Sequence, residues 1–197
     1  MSILSDVQIT TRCLQPETAM IAPFHAESIK HVNGHRVPSF GVSSYGYDAT
    51  LADEIDLFTD INGGIVDARK IDEKCYVRLD VRTDEDGLKY VIMPPNSFVL
   101  GRTREYFRIP RDLMVMCVGK STFARAGLNV TVTPLEPEWH GHVVIEVANM
   151  TNLPNKLYLG VGICQFMFFK ADSTCEVSYA DRGGKYQGQT GLTHAKV

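Results

Sequence analysis

The sequence predicts an all-β sandwich or barrel. Three observations carry this: many short β-prone apolar segments, turn signals set between them at regular intervals, and very few stretches with helical spacing. No internal repeat, low-complexity tract or Pro/Gly/Ser-rich linker divides the chain. Its 197 residues, 44% of them hydrophobic and 22% charged, suit one core, so a single domain over residues 1–197 is expected.

The helical exception comes first. Ser5-Asp6 offers an N-cap, Ile9, Cys13 and Leu14 follow at helical spacing, and Gln15-Pro16 ends the run, giving a short amphipathic N-terminal helix. Pro23 to Pro38 reads as irregular. From Phe40 the texture turns to β: Ser43 to Asp48, then Ile55–Phe58, Tyr76–Val81, Tyr90–Met93, Phe98–Leu100 and Met114–Val118. Turn signals stand between them at Asn62-Gly63-Gly64, Asp86-Gly87, Pro94-Pro95-Asn96 and Pro110-Arg111-Asp112. Further strands are expected at Asn129–Thr133, His142–Val147, Lys156–Leu159 and Ile163–Phe169.

Charge and cysteine usage narrow the function. A net charge of -3 and a pI near 6.1 argue against broad binding to nucleic acid, which needs a basic face to displace counterions. The five cysteines are odd in number, widely spaced and free of any Cys-x-x-Cys pair, which fits reduced thiols in a cytoplasmic protein. The first residues lack a signal-peptide pattern and no apolar run reaches membrane-spanning length, so no membrane partner is expected.

Two stretches carry chemistry. Gly119-Lys120-Ser121-Thr122, followed by Arg125, brings together a glycine, hydroxyls and cations, the groups that hold phosphate through backbone and charge-assisted donors. It resembles the end of a Walker A motif, but position 114 is Met114 where the first glycine would stand, and the surroundings are β. Glu146 is a lone carboxylate among Val143, Val144, Ile145 and Val147. In an extended strand His142, Val144 and Glu146 share one face while Val143, Ile145 and Val147 share the other. Burial there would raise the carboxyl pKa and suit it to carry protons near neutrality.

Metal readings are weak. His25-Ala26-Glu27 matches half of a zinc-site signature, but the Pro-Cys-x-x-Cys half is absent. His140 and His142 have ligand-like spacing on one strand face, although a solvated polar face explains them as well. No zinc is expected. After Ser178 the chain is rich in glycine, polar and aromatic residues, a frayed end or a flap over ligand.

The blocks from Gly119 to Arg125, Thr133 to Trp139, Gly141 to Val147 and Lys185 to Gln189, with Ser43 to Asp48 near the start, resemble the dCTP deaminases of the trimeric dUTPase-like superfamily. The likeness spans nearly the whole chain. It implies a distorted jelly-roll-like β barrel, a homotrimer with active sites at subunit interfaces, and conversion of dCTP and water to dUTP and ammonia without zinc. By position it implies Glu146, Ser121 and Arg125 as catalytic residues. It implies substrate contacts from Lys120, Ser121, Thr122, Phe123, Ala124 and Arg125, from Val144, Ile145 and Glu146, and from Glu136, Gln165, Tyr179, Lys185 and Gln189. Mg²⁺ would arrive with the triphosphate, dTTP would be the expected feedback inhibitor, and residues from about 179 to 197 would form a lid, poorly ordered when empty. The nearest alternatives are a bifunctional dUMP-forming deaminase and a dUTP pyrophosphatase, in which Glu136 would stand where a water-activating aspartate is expected. A non-catalytic jelly-roll binding module would leave Glu146 without a role.

Overall fold

The computed structural model describes residues 1–59 and 64–196. Asn62 and Gly63 of the first expected turn therefore lie outside the described residues. The elements run β1 (Ser2–Ile3), α1 (Asp6–Leu14), β2 (Ile21–Ala22), β3 (Ile29–Val32), β4 (His35–Ser43), β5 (Gly46–Thr50), β6 (Asp56–Phe58) and β7 (Tyr76–Arg78). They continue with β8 (Arg82–Thr83), β9 (Lys89–Met93), β10 (Phe98–Arg108), β11 (Leu113–Gly119), α2 (Ser121–Arg125), β12 (Leu128–Thr131), β13 (His140–Asn149), β14 (Asn155–Tyr158) and β15 (Gly162–Lys170).

α1 starts where the sequence places it. The Ser5 backbone N–H donates to Gln8 Oε1 at 3.0 Å, satisfying a donor that the first turn leaves open. Arg12 in the last turn grips Asp112 with two bonds of 3.0 and 2.7 Å. Ile9 and Cys13 are buried, but Leu14 is 66% exposed, so the apolar stripe is narrower than the spacing suggests. The stretch read as irregular, Pro23 to Pro38, instead holds the β3–β4 hairpin. Asn33 and Gly34, with φ of 53° and 81°, make the two-residue turn between the paired Val32 and His35, the backbone that Asn-Gly favours.

The strands form two six-stranded sheets and one three-stranded sheet. The first has the order β1-β15-β5-β4-β3, with β11 also pairing β15; the second has the order β12-β13-β10-β6-β7, with β2 also pairing β10. β14-β9-β8 makes the third. The all-β architecture with a short N-terminal helix agrees with the sequence reading, and the sheets enclose shared apolar packing in a jelly-roll-like arrangement. Phe107 of the second sheet meets Phe166 of the first with ring centroids 4.7 Å apart. Val91, Met93 and Leu157 of the third sheet join the same core. Segments expected to be short grow where both neighbours pair: β10 extends from Phe98 to Arg108 because β13 flanks it along most of its length.

Candidate active site

β13 carries the lone carboxylate. Its residues alternate as expected: Val143, Ile145 and Val147 are at most 3% exposed and face the core, while His142, Val144 and Glu146 lie half-buried on the opposite face. β13 is an inner strand, so Glu146 is held from both sides, opposite Thr131 of β12 and Leu100 of β10. Such a strand has little freedom to shift its side chains. Burial raises the Glu146 carboxyl above its ordinary range, partly offset by a backbone hydrogen bond, so a larger share is neutral near pH 7 than for a solvated glutamate.

The chain after β15 returns to this face and roofs it. Trp139 donates its indole N–H to the Tyr186 carbonyl at 3.0 Å. The Gly188 N–H donates to the His140 carbonyl at 2.9 Å, and the His142 N–H donates to the Gln189 carbonyl at 2.8 Å. Gly141, at φ 150°, makes this possible: a Cβ there would lie 2.9 Å from the Gln189 nitrogen. Gly184 likewise lets the tail fold against the Tyr179 ring, which a Cβ would meet at 2.0 Å. At the base of the tail Arg111 bonds Glu138 and Asp181, each at 2.7 Å, and Arg182 pairs with Glu136. The tail is therefore packed on β13, because unpaired backbone groups near the start of that strand and an indole N–H are there to receive it.

Beneath this roof lies a cleft of about 830 Å³ whose lining includes Glu136, Val144, Glu146, Tyr179, Lys185 and Gln189. Six of the expected site residues thus come together from distant parts of the chain. Others do not. Ser121, Thr122, Ala124 and Arg125 lie on the exposed side of α2 and contribute nothing to the cleft lining. Phe123 is 4% exposed and anchors α2 in the core, and Ile145 is fully buried with its side chain turned away from the cleft. Gln165, on the other six-stranded sheet, donates to Ser43 Oγ at 2.8 Å. Lys120, expected on phosphate, places its ammonium 2.5 Å from Asp48 Oδ2 and 3.2 Å from Ser39 Oγ.

Several cleft residues carry no strong sequence signal. Tyr76 and Phe98 supply aromatic wall, and Trp139 anchors the tail. His194 stacks on Tyr76 at 4.0 Å with 10° between the planes and bonds Asp56 Oδ2 at 2.9 Å. Trp139 is the chain's one tryptophan, a composition cue; His194 near the chain end offers none. The two β13 histidines have other partners: His140 Nδ1 meets the Tyr106 hydroxyl at 2.5 Å and His142 Nδ1 faces the Glu105 carbonyl at 3.1 Å. His25 packs edge-on against Phe40 with centroids 5.3 Å apart.

A shielded carboxyl on a rigid strand, facing a roofed cleft with aromatic, amide and ammonium groups, can bind a planar polar ring and move protons to and from it. Comparison with known proteins gives the chemistry a context. A family model described as dCTP deaminase-like matches residues 3–171. A dCTP deaminase of Ectopseudomonas mendocina (strain ymp) is 54% identical over 193 residues, covering 98% of both chains. One from Herminiimonas arsenicoxydans is 52% identical over 197 residues, the full length of both. The crystal structure of 2'-deoxycytidine 5'-triphosphate deaminase from Agrobacterium tumefaciens shares the fold, with a TM-score of 0.54 at 13% identity over 86% of this chain, and this chain spans 48% of that protein.

Proposed function

The chain belongs to the dCTP deaminase-like family, and we infer from that membership that it is an enzyme converting dCTP and water to dUTP and ammonia. Glu146 is the observation that carries the mechanism: a carboxyl raised by burial, on an inner strand, facing the cleft. As carboxylate it takes a proton from water while the water oxygen bonds to the ring carbon bearing the amino group. It then delivers that proton to the ring nitrogen, and a second proton passes through it to the amine, which leaves as ammonia as the new carbonyl forms. One group acting twice returns to its starting state.

The remaining groups come from a second copy in this reading. Ser121 orients the water or the developing tetrahedral oxygen, and Arg125 holds Ser121 and a phosphate. Two features support an assembly in which α2 of one copy meets the cleft of another. The α2 residues lie outside their own chain's cleft, and the outward face of β11 exposes Met114, Met116 and Val118 at 40, 39 and 44%, an apolar stripe suited to a contact between copies. A closed homotrimer fits the expected symmetry.

The substrate is dCTP with its Mg²⁺, since this ion prefers phosphate oxygens and water to a protein cage. dTTP carries the same triphosphate on a pyrimidine without the 4-amino group, which makes it the feedback inhibitor this cleft would accept. The five free cysteines favour a reducing, cytoplasmic setting, and among the described residues no helix is long and apolar enough to cross a membrane. Glu136 stands where a phosphoanhydride-cleaving relative would carry an aspartate, and its extra methylene displaces the carboxylate that would activate water, which favours a reaction that stops at dUTP. The test is to incubate the purified protein with dCTP and Mg²⁺ and measure ammonia and nucleotide products. Ammonia with dUTP is expected; absence of ammonia overturns the reading, and dUMP with pyrophosphate would make the enzyme bifunctional.

A further inference from the structure

The residue before Ser121 is held in a way the reaction does not explain. Lys120 is the N-cap of α2, and its carbonyl accepts the N–H groups of Phe123 and Ala124, each at 3.1 Å. Its side chain does not extend to solvent. The ammonium turns inward to Asp48 Oδ2 at 2.5 Å and Ser39 Oγ at 3.2 Å, leaving the lysine side chain 15% exposed and the aspartate side chain 7%. Asp48 lies in β5 between Gly41 of β4 and Gln165 of β15, so the pair ties α2 to the middle of the first sheet.

The arrangement is a poor stability device. Asp48 Oδ1 is buried without a partner, and a buried carboxylate with an open acceptor is expensive to desolvate. A buried ion pair with incomplete hydrogen bonding adds little over well-packed apolar side chains. Its distinctive effect is directional. A helix of five residues has little stability of its own, so what fixes α2 is its anchoring. Phe123 supplies an apolar anchor, 4% exposed, but apolar packing is not directional. The Lys120–Asp48 pair fixes the chain at the residue adjoining Ser121.

We propose that Asp48 is a positioning residue for the reaction: acting through Lys120, it sets the start of α2 and thereby the placement of Ser121. The proposal rests on the reading that Ser121 works with Glu146 in a cleft shared between copies.

The experiment measures kcat and KM for dCTP with the full-length Lys120→Gln, Lys120→Arg, Asp48→Asn and doubly substituted proteins, with Ser121→Ala in parallel. Loss of positioning lowers kcat by about tenfold or more in Lys120→Gln and Asp48→Asn with KM changed by less than about threefold. The double variant is no slower than the slower single, since both remove one interaction. Lys120→Arg, which keeps a cation for Asp48, recovers most of kcat. A phosphate contact predicts the reverse: Lys120→Gln raises KM with kcat intact, and Asp48→Asn lowers KM by freeing the lysine. That pattern overturns the proposal. Should Asp48→Asn fail to fold, the kcat and KM of the two Lys120 variants decide the matter alone. Full turnover by Lys120→Gln beside a slow Ser121→Ala removes the proposal but leaves the reading of the cleft; full turnover by Ser121→Ala removes that reading.

Discussion

The indole N–H of Trp139 donates to the carbonyl of Tyr186 at 3.0 Å, joining the approach to β13 directly to the tail that covers Glu146. One neutral hydrogen bond contributes about 1 kcal/mol net, enough to change the docking of the tail severalfold if the tail acts as the lid expected from the sequence. The bond stands with those from Gly188 to His140 and from His142 to Gln189. Trp139→Phe keeps most of the apolar body, which is 5% exposed, and removes the donor. It should reduce kcat/KM severalfold with little change in melting temperature. Removing all residues after Ser178 should abolish most turnover at saturating dCTP while circular dichroism still reports a folded β protein. A folded, fully active truncation would show the tail to be dispensable.

Glu146→Gln separates binding from chemistry. The amide still hydrogen-bonds a pyrimidine edge but cannot carry a proton, so turnover should fall by several orders of magnitude while dCTP binding, followed by calorimetry, stays close to that of the native protein. In the proposed mechanism the first step needs the carboxylate. Activity should therefore fall as pH drops through the Glu146 pKa, and burial places that limb above the ordinary carboxylate range. Near-normal ammonia release from the glutamine variant would refute the proton-carrying role.

If each site joins Glu146 of one copy to Ser121 of another, two inactive variants should rescue each other. Co-expressed Glu146→Gln and Ser121→Ala chains should form mixed assemblies containing some sites with both native groups, and show activity well above either variant alone. Failure to complement, with co-purification of differently tagged chains confirming mixed trimers, would place both groups in one chain's site. Light scattering from an active monomer would remove the assembly altogether.

Stability should depend on pH through a carboxylate that does not line the cleft. Glu105 is 1% exposed and accepts the Thr50 N–H at 3.0 Å and the Thr50 hydroxyl at 3.0 Å, but burial still lifts its pKa from 4.5 to about 7. The folded state then holds this proton more tightly than the unfolded chain. Its contribution is fully present below about pH 4.5 and is lost as pH rises through about 7, by an amount on the order of 3 kcal/mol. Urea unfolding followed between pH 5 and 8 should show this decline, and Glu105→Gln should flatten it. An equally steep profile in the variant would assign the decline to other groups.

Features that depend on neighbours in the chain are legible from residue order. The alternation along His142–Val147 sorts core from cleft because side-chain direction in a strand repeats every two residues, and the capped start and proline stop of α1 are local as well. The Asn33-Gly34 turn is equally local, although the histidines and prolines around it hide its strands. The tertiary structure alone decided which groups meet. Glu136, Glu146, Lys185 and Gln189 share a cleft only because the tail crosses back over β13, a contact set by a glycine gap at Gly141 and an indole N–H, neither of which announces a partner. Lys120 reads as a phosphate ligand beside Gly119, Ser121 and Thr122, yet it turns to an aspartate 72 residues away. A cation's partner is set by which carboxylate the fold buries within its reach, and burial is a property of the packed sheets.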